Sequence, residues 1–201
     1  MARAVGGLDR ALELLVDAHV ELCRACTGRL AALDELGGAL MRRRAAEVPV
    51  PEGLVDRVLS ASEDAPEAQP LPDDDVLPMV LVEHFGPLEA MRWRWGAPGL
   101  ARIDLLPQRD RLPLRLLRMA PGTRVAAHDH AGHERAVILA GGWRDFRGEL
   151  RRGDFAVCGP EERGHTLEVD TDAPCIALVL NDAPIVAHAR VHRWLAAWRG
   201  L

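Results

Sequence analysis

The chain has 201 residues, 48% of them hydrophobic, which is enough for a sizeable core and suits one large or two small domains. A formal net charge of -5 argues against nucleic acid as a direct partner, because phosphate binding normally calls for a basic surface. No apolar run approaches the roughly 20 residues that span a bilayer, and Asp9, Arg10, Glu13 and Asp17 exclude the uncharged core of a signal peptide, so a cytoplasmic protein is expected.

The first element is a helix. From Leu8 the apolar residues Leu8, Ala11, Leu12, Leu15, Ala18, Leu22 and Ala25 recur at spacings of three and four, and Asp9 near the start suits the helix dipole. On that helix His19, Cys23 and Cys26 stand at i, i+4 and i+7, on one face and within reach of one ion. Imidazole with two thiolates is a zinc-type ligand set; a thiol redox pair and plain core packing are the alternatives. A second helix is expected from Arg29 to Arg44, with Leu30, Leu33, Leu36, Leu40 and Met41 on its buried side. Pro49 and Pro51 interrupt it, and Gly53 to Ala61 reads as a third, short helix. Residues 62–76, SEDAPEAQPLPDDDV, read as a solvated acidic linker.

Short β-type segments follow: Pro78 to His84, Ala90 to Trp95, Ala101 to Leu106, Leu112 to Met119, Arg135 to Ala140, Gly142 to Phe146, Asp154 to Cys158, Thr166 to Val169 and Cys175 to Leu180. Their regular spacing predicts an antiparallel barrel or sandwich. Trp194, Leu195 and Trp198 fall at helical intervals, which predicts a C-terminal helix over 188–201 packed on the barrel or on a partner chain, and leaves a homodimer open.

Within this region the stretch GTRVAAHDHAGHERAVILAG, Gly122 to Gly141, concentrates the chemistry. His128 and His130 are two apart, so a strand points both imidazoles to one side, and Glu134 follows after a short bend. His165, in a later glycine-rich loop, completes a set of three histidines and one carboxylate. His133 breaks the spacing and is placed behind the ligands or on the surface. Cys158 and Cys175 are expected to be packed thiols, with oxidation as the alternative.

This spacing resembles the cupin family, whose first motif runs Gly, five residues, His-x-His, three or four residues, Glu, six residues, Gly; Gly122, His128, His130, Glu134 and Gly141 match it throughout. The second motif is looser, with Gly153, Gly159-Pro160 and His165 but no Pro-x-Gly order and no terminal Asn. The run HVELCRAC at 19–26, ahead of Leu36-Gly37-Gly38, resembles the zinc-binding anti-sigma domain. Such a domain followed by a cupin is the order found in the ChrR-type anti-sigma factors. That resemblance implies an α + β chain: helical domain 1–61, linker 62–76, a jelly-roll cupin over 77–187 and the helix at 188–201. It also implies zinc at His19, Cys23 and Cys26 and at His128, His130, Glu134 and His165, although the cupin set would equally suit iron, manganese or nickel. The family's fourth helical ligand is a histidine further upstream. No histidine precedes His19, which leaves three ligands plus solvent, a degenerate site, or a start that omits a helix. The implied function is to bind and inhibit an extracytoplasmic-function sigma factor, with the cupin sensing singlet oxygen or organic peroxides; no catalytic residue is assigned. The rival expectation is a metal-dependent cupin dioxygenase or isomerase with a helical appendage.

Overall fold

Asp9 sets the first helix, its carboxylate accepting the N–H of Ala11 at 3.0 Å in a standard N-cap, and α1 then runs Arg10–Leu22. The computed structural model describes residues 3, 6–44, 49, 51–63, 74–106 and 112–187, and the expected helix at 188–201 lies outside them. Three further helices are α2 (Arg24–Arg44), α3 (Leu54–Glu63) and α4 (Met79–Phe85). None of the described helices is long and apolar enough to cross a membrane.

The helical region departs from expectation in two ways. The expected single helix through Cys26 breaks at Cys23, which is extended (φ -114°, ψ 98°). Its N–H closes α1 on the carbonyl of His19 at 2.9 Å, and its own carbonyl opens α2 by accepting the N–H of Thr27 at 2.9 Å. One residue thus ends one helix and caps the next. Nor do the leucines of α2 form a buried side: no α2 residue is buried, and Leu36, Leu40 and Met41 are 54%, 53% and 72% exposed.

Pro78 to His84, expected as a strand, is largely α4. Glu21 of α1 accepts the N–H groups of Met79 and Val80 at 2.7 and 2.9 Å, satisfying donors that a new helix leaves orphaned. Gly86, at φ 81°, ends it. The acidic run is also not all solvated linker. Asp74 accepts N–H groups from Val76, Leu77 and Leu88 at 2.9, 2.8 and 2.7 Å. Burial works against its charge, but these three donations outweigh it and hold the carboxyl below the usual range.

Eleven strands follow: β1 (Arg94–Ala97), β2 (Leu100–Leu106), β3 (Leu114–Met119), β4 (Arg124–His130), β5 (Glu134–Ala140), β6 (Gly142–Asp145), β7 (Gly148–Arg151), β8 (Phe155–Cys158), β9 (His165–Glu168), β10 (Cys175–Asn181) and β11 (Ile185–Ala187). They form two antiparallel sheets, ordered β1-β2-β3-β10-β5-β8 and β11-β4-β9-β6-β7. This is a jelly-roll sandwich of two open sheets and not a closed barrel. β7 and β11 are additions to the expected strands.

The six-stranded sheet is buried on both faces. Its outer face, with Leu114, Leu116, Val137, Leu139, Leu178 and Leu180, packs on Ala11, Leu14, Leu15 and Ala18 of α1 and on Leu81 and Val82 of α4. Its inner face meets the other sheet through Ala136, Ile138, Ala177 and Val179 against Trp143, Leu150 and Leu167. Two-sided burial explains why β5 and β10 read as continuous apolar runs and not as alternation.

Leu15→Ala, in the fully buried face of α1, is expected to cost about 2–5 kcal/mol of unfolding free energy. Exposed Leu40→Ala should stay within about 0.5 kcal/mol. Urea denaturation measures both, and a Leu15 variant as stable as the parent would mean that α1 is not docked on the sheet.

Candidate metal centres

The first cluster is built on the joint between α1 and α2. His19 stands on the last turn of α1, Cys23 is the joint itself and Cys26 lies in the first turn of α2, and their ligand atoms come within 4.8 Å of one another. The predicted trio is therefore assembled, but across a break and not along one helical face. The backbone N–H of Cys26 donates to the Cys23 sulfur, as does the Cys26 thiol, and these lower the Cys23 pKa; Cys26 is raised by the same pairing. A thiolate at a helix N-terminus is the reactive, metal-ready form of cysteine. His19 packs edge-on against Phe155 of β8, with ring centroids 5.3 Å apart and planes at 73°. Its Nδ1 is buried without a hydrogen-bond partner.

The second cluster lies inside the sandwich. His128 and His130 point inward from β4, and His165 opens β9 directly opposite His128 in the ladder. Their ligand atoms also fall within 4.8 Å of one another, and all three side chains are buried. His128 donates from Nδ1 to the carbonyl of Ala126 at 2.9 Å, which leaves Nε2 as a lone pair facing its neighbours. His130 Nε2 is buried and unpartnered. Burial lowers the pKa of His130 and, with repulsion from His128, takes His165 down to about 4.

Glu134 stands apart from the group of three. It begins β5, takes a hydrogen bond from Asn181 at 2.9 Å, and its charge opposes the fall in pKa at His130 and His165. It is thus a neighbouring carboxylate held by an amide, and the compact donor set is three imidazoles. His133 is on the outer turn, with its backbone N–H on Asp182 at 2.6 Å and its ring 3.6 Å from the same carboxylate, away from the ligands. Gly141 of the motif has a local cause: at φ 62°, its missing Cβ would lie 2.6 Å from the carbonyl oxygen of Pro174.

Three neighbours of these clusters went unrecognised in the sequence. Asn181 meets Glu134 only through the β5–β10 register. Cys158 places its sulfur 3.9 Å from His165 Nδ1. Phe155 carries no motif at all. Cys158 and Cys175 are buried thiols whose pKa values burial pushes up to about 11 and about 12, so both remain protonated.

Both clusters fit a cation. Each presents a buried ring nitrogen with nothing to bond, a costly arrangement that a metal ion relieves. The first has the imidazole and sulfur donors of a zinc site, and the second the neutral imidazoles of a transition-metal site.

Comparison with known proteins relates this chain to a family model, a curated relative and a solved complex. A family model described as "ChrR Cupin-like domain" matches residues 82–183. The anti-sigma-E factor ChrR of Cereibacter sphaeroides is 35% identical over 188 residues, 92% of this chain and 86% of the relative. The crystal structure of Rhodobacter sphaeroides SigE in complex with the anti-sigma ChrR aligns with 90% of this chain and 93% of the matched chain, at 31% identity and a TM-score of 0.71.

Removing donors should remove metal one centre at a time. His128→Ala and Cys23→Ser are each expected to lower bound metal by one equivalent, and the double variant by two, as read by elemental analysis of dialysed protein. In the metal-free chain the unfolded state takes up protons that folded His165 refuses between pH 6.5 and about 4. Its stability is therefore complete above that window and falls by about 3 kcal/mol as pH drops through it. Denaturation midpoints at stepped pH, compared with His165→Gln, check this; a parent with the same pH slope as the variant would refute it.

Proposed function

Since the chain belongs to the ChrR family of anti-sigma factors, we propose that α2 and α3 hold an extracytoplasmic-function sigma factor, and that the cupin weakens this hold under oxidative stress. The observation that carries this reading is the apolar surface those two helices leave open. On α2, Leu36, Leu40 and Met41 share one side; on α3, Val55, Val58 and Leu59 do so, at 61%, 58% and 56% exposure. The α3 trio stands at i, i+3 and i+4 and the two α2 leucines at i and i+4, spacings of the sides that helices normally bury. α2 moreover contains Gly28, Gly37 and Gly38, each costing about 1 kcal/mol against Ala, and buries none of its residues. Such a helix draws stability from a partner laid along it.

Zinc fits this reading at both centres. At the first, His19, Cys23 and Cys26 would hold it, with solvent or a further group completing the shell. There the metal supplies a cross-link of fixed geometry between α1, anchored on the cupin, and α2, which faces the partner. At the second, His128, His130 and His165 would hold it with Glu134 beside them. Thiolates are also readily oxidised, which gives the cysteine centre a route for sensing. The setting is the cytoplasm, where cysteines stay reduced.

Binding and response should separate by centre. His19→Ala or Cys23→Ala, and equally Leu40→Asp or Val58→Asp, are expected to weaken binding of the sigma factor about tenfold or more. His128→Ala or Glu134→Ala should leave affinity near the parent and blunt release by organic hydroperoxide. Fluorescence anisotropy with an extracytoplasmic-function sigma factor of the same organism measures both; a Cys23→Ala variant binding as tightly as the parent would defeat the assignment.

A further inference from the structure

The two clusters are joined by one short strand. β8 lies at the edge of the six-stranded sheet, laddered to β5 alone through Val137↔Phe155, Ala136↔Ala156, Arg135↔Val157 and Glu134↔Cys158. Its residues alternate between the two faces of the sheet. Phe155 points outward into the packing that holds α1, where its ring meets the edge of His19 at 5.3 Å. Cys158 points inward, beside Glu134 in register and with Sγ 3.9 Å from Nδ1 of His165. Three residues of strand separate these contacts, about 10 Å.

We propose that β8 relays the state of the cupin centre to the helical centre: Cys158 follows the position of His165, and Phe155 sets that of His19. The proposal rests on both clusters holding metal. Its physical basis is threefold. An edge strand with one ladder is restrained on one side only, so it yields more readily than β5 or β10, which are paired on both sides. Close-packed interiors transmit sub-ångström shifts because they leave little room to absorb them. The aromatic contact at the outer end is directional, so a displaced Phe155 ring tilts the imidazole whose lone pair would have to point at the ion shared with two sulfurs. α1 itself stays fixed by Leu14, Leu15 and Ala18, which leaves the His19 ring as the group that responds. The turn entering β8 meets α1 as well: a Cβ at Gly153 would stand 3.3 Å from the carbonyl oxygen of Leu22. Phe155 and Cys158 are thus positioning residues, each acting through a ligand it touches.

Coupling between two sites is reciprocal and measurable without the sigma factor. The full chain loaded with cobalt(II) offers a selective readout, because sulfur-to-cobalt absorption arises at the cysteine centre and not at three imidazoles. The rate at which a chelator removes that metal is expected to differ by about fivefold or more between the parent and His128→Ala, whose cupin centre is empty. Phe155→Leu should shrink this difference to less than about twofold while both centres still bind. Cys158→Ala, which removes the sulfur that touches His165, tests the inner end of the strand and should shrink the difference too. Two bound equivalents with equal rates in the parent and His128→Ala overturn the relay alone, as does a difference that survives both β8 variants. Fewer than two equivalents in the parent overturn the two-centre reading, and the relay with it.

Discussion

The docking of α1 on the outer face of the six-stranded sheet is the contact on which the rest of the arrangement depends. Ala11, Leu14, Leu15 and Ala18 are all at most 1% exposed, and burying a leucine stabilises by roughly 1.5–3 kcal/mol. This face places His19 beside Phe155 and Glu21 over the first N–H groups of α4. It also makes α1 part of the cupin's own packing, although its ligand belongs to the helical centre. One wall of that centre is therefore as rigid as the sheet beneath it.

The cupin cluster sets chemistry against stability. Burial, with repulsion from the neighbouring imidazoles, disfavours the charged forms of His130 and His165. Kept neutral, they present lone pairs to a common point. The same features that make the cluster poor at holding protons make it a good receiver for a single cation, whose charge replaces three separate ones. Glu134 adds one negative charge nearby, and Asn181 holds its carboxylate in place.

Local pattern made the first two histidines of the cupin cluster legible: the two-residue step from His128 to His130 needs only strand alternation to face one way, and Gly122 and Gly141 mark the turns around it. His165 was legible only as a later histidine, since its place opposite His128 comes from ladder register. The helical trio was found for an incomplete reason. Spacing suggested one helix, whereas Cys23 breaks it and the atoms meet across the joint. The helix at Met79–Phe85 was hidden because its first donors are capped by Glu21, 58 residues away in sequence. The leucines of α2 carried the right period but no sign of what they face. Periodicity reports an apolar side and does not say whether the chain's own core or another protein covers it.

That distinction gives the helical centre its mechanical meaning. α1 is immobilised by the sheet, α2 buries nothing, and the chain between them is the single extended residue Cys23. With so short a joint, two backbone dihedrals largely decide the direction in which α2 leaves the cupin. The ligands sample both sides of the joint and the joint itself: His19 before it, Cys23 within it, Cys26 after it. An ion held by all three at bonding distance would accept only a narrow range of those dihedrals, so its presence would select one direction for the exposed leucines of α2. Losing a donor, to oxidation or to a tilted His19 ring, would free the angle without unfolding either helix. The partner's surface would then no longer meet α2 in one geometry, and a small change in ligand position would become a large change in the fit of its apolar face.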